Sequence, residues 1–154
     1  MYRSIRKKGW DYSQTADYLI TICTKNRLPY FGSVEKGAVS LSPVGEIVQR
    51  TIFDIPEVHS NVILKEWVIM PDHIHLIIHF NRRLPKEQSG AGKFGPQKAT
   101  LGRVIAGFKA RVTSQALIEN CDFEWQIGYH DRILNHQTAI ENAARYIREN
   151  PQNL

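Results

Sequence analysis

Residues 61–80 contain the pattern that most constrains the fold of this 154-residue chain. Asn61 to Met70 and His73 to Phe80 are two runs rich in β-branched and apolar residues, and only Pro71-Asp72 separates them. Two such runs with so short a joint predict an antiparallel β-hairpin. Because successive side chains of a strand point to opposite faces, His73 and His75 are expected on one face and Ile74 on the core side.

The elements around this hairpin follow the order β-α-β-β-α-β and end in a further helix. They are a strand at 17–24, a helix from Ser42 to Pro56, a helix with apolar positions from 101 to 112, a strand at 129–134 and a helix at 135–150. Ser42 is expected to cap the first helix, with Pro43 in its first turn, and Pro56 to stop it. The order predicts an α+β, ferredoxin-like fold, with helices on one face of an antiparallel sheet plus a C-terminal helix.

Length and composition favour one globular domain over residues 1–154. Hydrophobic residues make up 42% and charged residues 23% of the chain, which argues against a disordered protein. No apolar run approaches the roughly 20 residues of a membrane span, and the basic start is not followed by an apolar signal core. Cys23 and Cys121 lack the spacing of a zinc or redox site. We therefore expect a cytoplasmic protein of bacterial type, with reduced thiols and no membrane partner.

The positive charge of the chain is concentrated in two segments. Residues 82–111 have eight basic residues and one acidic residue, and the first eight residues add four more, whereas the remainder carries −6 in a chain of net +5. Such a surface suits a polyanion such as DNA, although a solvated loop with spare lysines would have the same composition. The candidate DNA contacts in the first of these segments are Arg82, Arg83, Lys86, Lys93, Lys98, Arg103, Lys109 and Arg111.

The histidine pair is a candidate metal site. The Cα atoms of His73 and His75 are expected about 6.7 Å apart on one strand face, which allows two imidazoles to bind one ion. His79 shares that face but lies about 13 Å further along, too far to join them. Histidines on a half-exposed strand face are common, so the spacing alone leaves open a face without metal.

The last helix contains two further candidates on its flank. Tyr146 and Asn150 are four residues apart and therefore lie on one helix face, beside the apolar stripe. Taken singly, such a tyrosine is usually a packing residue and such an asparagine marks a helix end.

Together these segments resemble a known family. Trp67-Val68-Ile69-Met70-Pro71-Asp72-His73-Ile74-His75-Leu76-Ile77-Ile78 resembles the signature of the HUH single-tyrosine transposases, which include insertion-sequence transposases and REP-associated tyrosine transposases. The segment from Trp125 to Leu134 resembles the strand before the catalytic helix of that family, and Ala144-Arg145-Tyr146-Ile147-Arg148-Glu149-Asn150-Pro151 resembles the helix itself. The resemblance spans nearly the whole chain, in matching order.

The resemblance implies a fold, a site and a substrate. The fold would be ferredoxin-like with a C-terminal catalytic helix. His73, His75 and Asn150 would bind Mg²⁺ or Mn²⁺, and Tyr146 would attack a DNA phosphodiester near a hairpin, giving a 5′-phosphotyrosine intermediate in DNA transposition. The partner would be single-stranded or hairpin DNA. Members act as homodimers or as monomers, and the resemblance leaves the oligomeric state open.

Three functions remain open from the sequence. The first is the metal-dependent strand transferase and nickase with Tyr146 as nucleophile. The second is a His-metal nuclease that uses activated water, which would keep cleaving without Tyr146. The third is a DNA-binding module of the same fold without catalysis, which would retain DNA without a metal.

Overall fold

The computed structural model describes residues 7, 9–12, 14–81 and 100–153. In this part of the chain the strands are β1 (Ala16–Cys23), β2 (Gly32–Glu35), β3 (Ala38–Leu41), β4 (Val62–Met70), β5 (His73–Phe80) and β6 (His130–Leu134). The helices are α1 (Pro43–Val58), α2 (Leu101–Ile118) and α3 (Gln137–Glu149), with short 3-10 turns at Lys25–Arg27 and Asn150–Asn153.

The main sheet has the order β4-β5-β1-β6, and every neighbouring pair is antiparallel. Because β1, β4, β5 and β6 are the four strands expected from the sequence, this order confirms the ferredoxin-like fold. β5 and β1 are the two inner strands, whereas β4 and β6 form the edges.

The two faces of this sheet are covered by different helices. On one face, Ile74, Leu76 and Ile78 of β5 belong to a large buried cluster that includes the apolar sides of α1 and α2. On the other face, Ile77 joins a small cluster with Leu134, Ala143 and Ile147, so α3 packs there. His73 and His75 have the parity of Ile77 and therefore lie on the α3 face. None of the helices in the described part of the chain combines the length and the apolar character that a membrane crossing requires.

Two details of the sequence prediction are wrong. Pro56 lies inside α1 and does not stop it, because a proline near a helix end removes only one backbone hydrogen bond, and His59 N–H still donates to the Ile55 carbonyl at 2.9 Å. The β2–β3 hairpin was not predicted, since its strands have only four residues each. Lys36 and Gly37 both have positive φ, of 52° and 77°, as a tight hairpin turn requires.

The start of α1 lies close against the backbone of the segment that precedes β2. Ser42 caps the helix as expected, and its Oγ accepts a hydrogen bond from the Gly45 N–H at 3.0 Å. A Cβ atom at position 45 would overlap the carbonyl oxygen of Phe31. The backbone of residue 31 also donates to the Pro71 carbonyl at 2.9 Å, so this crossing supports the turn that precedes His73.

We therefore expect Gly45→Ala to lower the free energy of unfolding by about 1–3 kcal/mol, the range typical of overpacking. The matched control is Gly107→Ala in α2, where the added Cβ meets only the end of the Arg111 side chain at 3.3 Å. That change should be neutral or stabilise by up to about 1 kcal/mol, because alanine is the better helix former. Urea denaturation followed by tryptophan fluorescence measures both values. Equal losses in the two variants would contradict the close approach at residue 45.

Candidate catalytic site

The turn before β5 is anchored by the end of β1. The backbone N–H of Thr24 donates to the Asp72 carbonyl at 3.0 Å, and the Thr24 hydroxyl, which donates to the Leu28 carbonyl at 2.7 Å, lies 3.1 Å from the same Asp72 oxygen. Thr24 is fully buried, so water does not compete for these bonds. The position of Asp72, and of His73 beside it, is therefore fixed by the neighbouring strand.

Asp72 holds the imidazole of His73. The Nδ1 atom of His73 lies 2.7 Å from Asp72 Oδ1, and Arg27 Nε donates to Asp72 Oδ2 at 3.0 Å. Burial raises the pKa of Asp72, but the hydrogen bonds from His73 and Arg27 outweigh it, so that the pKa is below its ordinary value and the side chain stays ionised. A carboxylate at Nδ1 requires the proton there, which leaves the Nε2 lone pair of His73 for a ligand.

Thr21 contacts the Nδ1 atom of His75 as Asp72 contacts that of His73. The two residues are direct neighbours in the β1–β5 pairing, and Thr21 Oγ1 lies 2.9 Å from His75 Nδ1. Burial lowers the pKa of His75, and the positive charges of the nearby His73 and Arg27 lower it further, to about 4. His75 is therefore neutral at pH 7, the state that a metal ligand needs.

The rings of His73, His75 and Tyr146 form a continuous group. The centroids of the two imidazoles are 4.8 Å apart, and the His75 centroid is 5.4 Å from that of Tyr146. His75 is buried, with 7% of its surface exposed, whereas Tyr146 is 53% exposed. The tyrosine is thus in contact with His75 and open to solvent.

Two interactions hold α3 in this position. Ile147 and Ala143 are buried against the sheet, and Arg148 Nη1 donates to Glu66 Oε2 on β4 at 3.0 Å. Tyr146 directly precedes Ile147. Because Ile147 is buried against the sheet, Tyr146 lies on the flank of the helix, as the sequence predicted.

Asn150 has the burial expected of a ligand-bearing side chain. It is 9% exposed, lies one helical turn beyond Tyr146, and its amide Nδ2 is buried without a hydrogen-bond partner. Amide oxygen and nitrogen are assigned from the hydrogen-bond network, so an amide rotated by half a turn would present its oxygen at this position. In the described part of the chain, no three His, Cys, Asp or Glu side chains are grouped as metal ligands. The assignment of Asn150 as a third ligand beside His73 and His75 stays a prediction.

Other candidates lie elsewhere. His79 is hydrogen-bonded to Asp17 Oδ1 at 2.8 Å and to Asn81 Oδ1 at 2.9 Å, at the far end of β5. Tyr129 is buried in the cluster on the α1–α2 face.

The predicted DNA contacts do not all lie near this site. Arg82, Arg83, Lys86, Lys93 and Lys98 lie outside the described residues. The other three, Arg103, Lys109 and Arg111, are on α2, across the sheet from Tyr146. Arg103 is exposed, and Arg111 has buried Nε and Nη2 atoms without a partner.

Lys109 makes hydrogen bonds within the protein. Its Nζ donates to the carbonyls of Gln126 and Gly128 at 2.9 and 3.0 Å, and burial lowers the pKa of its ammonium group. Since both carbonyls belong to the loop before β6, Lys109 fixes that loop to α2, and its contact with DNA stays a prediction.

Sequence reasoning missed Thr21 and Arg27. Thr21 could be found only from the strand register, which the sequence does not give. Arg27 is the last residue of the turn at Lys25–Arg27, and its φ of 55° is uncommon for a residue other than glycine. The sequence offers no signal for that turn.

Comparisons with known proteins agree with this fold. No protein-family model matches the sequence. An uncharacterized protein of Haemophilus influenzae is 34% identical over 158 residues, covering 97% of this chain and 87% of that protein. A solved REP-associated tyrosine transposase bound to a REP hairpin matches with a TM-score of 0.66 and 13% identity, over 97% of this chain and 74% of the other. This likeness shows a shared fold.

A candidate transposase from Deinococcus radiodurans matches with a TM-score of 0.45 and 14% identity, over 94% of this chain and 97% of the other. A TM-score below 0.5 does not establish a shared fold.

We expect Lys109→Met to lower the free energy of unfolding by about 1–3 kcal/mol, because two buried carbonyls lose their charged donor. Arg103→Met, on the exposed side of the same helix, is the control and should change it by less than about 0.5 kcal/mol. Urea denaturation measures both. If the two variants are equally stable, the Lys109 bonds do not stabilise the loop.

Proposed function

We propose that this chain, which belongs to one family with the Haemophilus influenzae protein, is a tyrosine transposase that cuts and joins single-stranded DNA. Its fold is that of a REP-associated tyrosine transposase, and three of its sequence segments resemble the HUH family. We infer that the substrate is DNA beside a hairpin, since the protein of like fold is bound to one.

The single observation that carries the proposal is the contact between Tyr146 and His75. The only ring of α3 that meets His75 in the described structure is a half-exposed tyrosine, with centroids 5.4 Å apart. Position on the helix flank alone is also typical of a tyrosine that packs, so the contact with His75 is what distinguishes Tyr146. In this position Tyr146 offers its hydroxyl to a substrate that approaches the imidazoles.

The residues present fit a divalent metal ion. His73 and His75 would each offer Nε2, with Asp72 and Thr21 fixing the rings at Nδ1, and Asn150 would offer its amide oxygen. Bound there, Mg²⁺ or Mn²⁺ would neutralise charge on the scissile phosphate and orient it for attack.

The step assigned to Tyr146 is a transesterification. The Tyr146 oxygen attacks phosphorus and forms a phosphotyrosine bond to the 5′ side, while the bond from phosphorus to the 3′ oxygen breaks. The phenol proton is lost and the departing 3′ oxygen gains one, so no net proton is consumed. Because one phosphoester replaces another, the reaction needs no ATP and can be reversed to join a second strand. Placing nucleophile and amide ligand one turn apart on α3 fixes both with one helix.

The DNA path remains a proposal that rests on charge. Arg103 on α2 is exposed, so a DNA backbone could reach it, whereas the Nε and Nη2 atoms of Arg111 are buried and could meet DNA only after the side chain moved. Since α2 lies across the sheet from Tyr146, a DNA contact there would be away from the cleaved bond.

Tyr146→Phe should abolish the covalent product. Wild-type protein incubated with Mn²⁺ and hairpin-flanked single-stranded DNA should give a DNA-linked species on a denaturing gel, and the variant should give none, because the attacking oxygen is absent. Tyr129→Phe, a change within the core on the other face, should retain the adduct.

The same gel distinguishes the alternatives. If the DNA is cleaved without an adduct, and Tyr146→Phe cleaves it equally, the protein is a nuclease that uses water. Metal-independent DNA retention with no cleavage in wild type would identify a binding module. Either result would overturn the assignment of Tyr146.

Asp72→Asn should weaken Mn²⁺ binding by about 10–100-fold, because the amide no longer fixes the proton at Nδ1 of His73. Isothermal titration with Mn²⁺ measures the affinity without DNA. Asp54→Asn, at an exposed carboxylate on α1, is the control and should bind as wild type does. An unchanged affinity in Asp72→Asn would show that the carboxylate does not orient a ligand.

A further inference from the structure

A pocket of about 350 Å³ lies along the outer edge of β4. Three parts of the chain enclose it: the β2–β3 hairpin, the edge strand and the end of α3. We call it the edge pocket. Its lining consists of Gly37, Ala38, Val39, Leu41, Gln49, Trp67, Val68, Ile69, Arg148 and Pro151.

The edge pocket adjoins the candidate catalytic site. Val68 in its wall is the direct cross-strand neighbour of His75, so the pocket begins one strand away from a proposed ligand. Pro151 follows Asn150, and Arg148 is two residues after Tyr146. A DNA strand whose phosphate lies at Tyr146 could therefore reach the pocket with an adjoining nucleotide.

The lining combines an aromatic ring with unused polar groups. Trp67 is half-buried and packs edge-to-face against Phe53, with centroids 5.4 Å apart, which fixes its ring. Neither the Trp67 indole N–H nor the Gln49 amide has a hydrogen-bond partner among the described residues. Arg148 uses Nη1 for Glu66 and keeps other donors. Because β4 is an edge strand, its outward N–H and C=O groups are not paired within the sheet.

We propose that the edge pocket binds one unpaired nucleobase of the DNA next to the cleaved phosphate, an assignment that rests on the proposed function. The base lies against Trp67 and the apolar wall of Val39 and Leu41. The Gln49 amide, with one acceptor and two donors, reads the edge of the base. Base stacking on an aromatic ring is the usual means of binding single-stranded nucleic acid.

The lining favours a base over a phosphate or sugar. The volume is at the lower end of small-molecule pockets, as one base or nucleotide requires. A phosphate site would need several free cations, whereas Arg148 is the only cation among the described residues of this lining, and it is already paired with Glu66. The aromatic and aliphatic walls would make no favourable contact with an anion.

Abasic scanning tests the assignment in the Tyr146→Phe background, where binding is measured without chemistry. Each nucleotide of the single-stranded flank is replaced in turn by an abasic site, and fluorescence anisotropy gives the affinity for the hairpin DNA. We expect one flank position at which loss of the base weakens binding about tenfold or more. With Trp67→Ala added, that position should lose its effect while the other positions keep theirs.

Two further variants make the test independent of folding. Trp67→Phe should keep a reduced effect at the same position, because a ring remains. Gln49→Ala should change which base is preferred there, whereas Gln115→Ala on α2 should leave the preference unchanged. If no flank position depends on Trp67 or Gln49, the edge pocket does not bind a base.

The experiments distinguish an error in the edge pocket assignment from an error in the proposed function. If wild type forms the covalent adduct but no position depends on Trp67 or Gln49, the edge pocket assignment is overturned and the strand transferase stands. If a Trp67-dependent position exists but no adduct forms, the base assignment is supported and the catalytic proposal is overturned.

Discussion

The strict alternation of side chains along β5 is the constraint on which the rest of the structure depends. β5 is an inner strand that is covered on both faces, so each of its side chains is committed to one helix layer or the other. The apolar residues at even positions are buried beneath α1 and α2, whereas His73, His75 and Ile77 face α3. A shift of one residue in register would exchange the two sets, placing imidazoles in the main core. Burial of the even positions therefore fixes the direction of the histidine pair.

The histidines are also fixed in rotation, and by two different parts of the chain. Asp72 acts from the turn and Thr21 from the neighbouring strand, each at an Nδ1 atom. Both rings lie on the sheet face that α3 covers, and the His75 ring contacts Tyr146 of that helix. The arrangement needs no side chain from the α1–α2 face, so the sheet separates the proposed chemistry from the main hydrophobic core.

Much of the fold was predictable because its signals are local. The capping Ser42 with Pro43, the Pro71-Asp72 turn and the period-two and helical patterns each act within a few residues. The candidate site was partly predictable for the same reason: the parity of His73 and His75, and the shared face of Tyr146 and Asn150, follow from strand and helix geometry. Thr21 and Arg27 were not, since their contacts depend on strand register and on an uncommon backbone conformation. The bonds of Lys109 were not predictable either, because net charge does not show that two carbonyls from a distant loop bind its ammonium group.

The small interface beneath α3 has a consequence for how the molecule opens. The histidines are on an inner strand of the four-stranded sheet, whereas α3 is held by a cluster of four buried residues and by an exposed ion pair of little net strength. Segments with few buried apolar contacts undergo local unfolding at lower free energy than the core. We therefore expect α3, with Tyr146 and Asn150, to open at a lower free energy than β5, which carries His73 and His75. Detachment of α3 would leave the two imidazoles in place on the sheet.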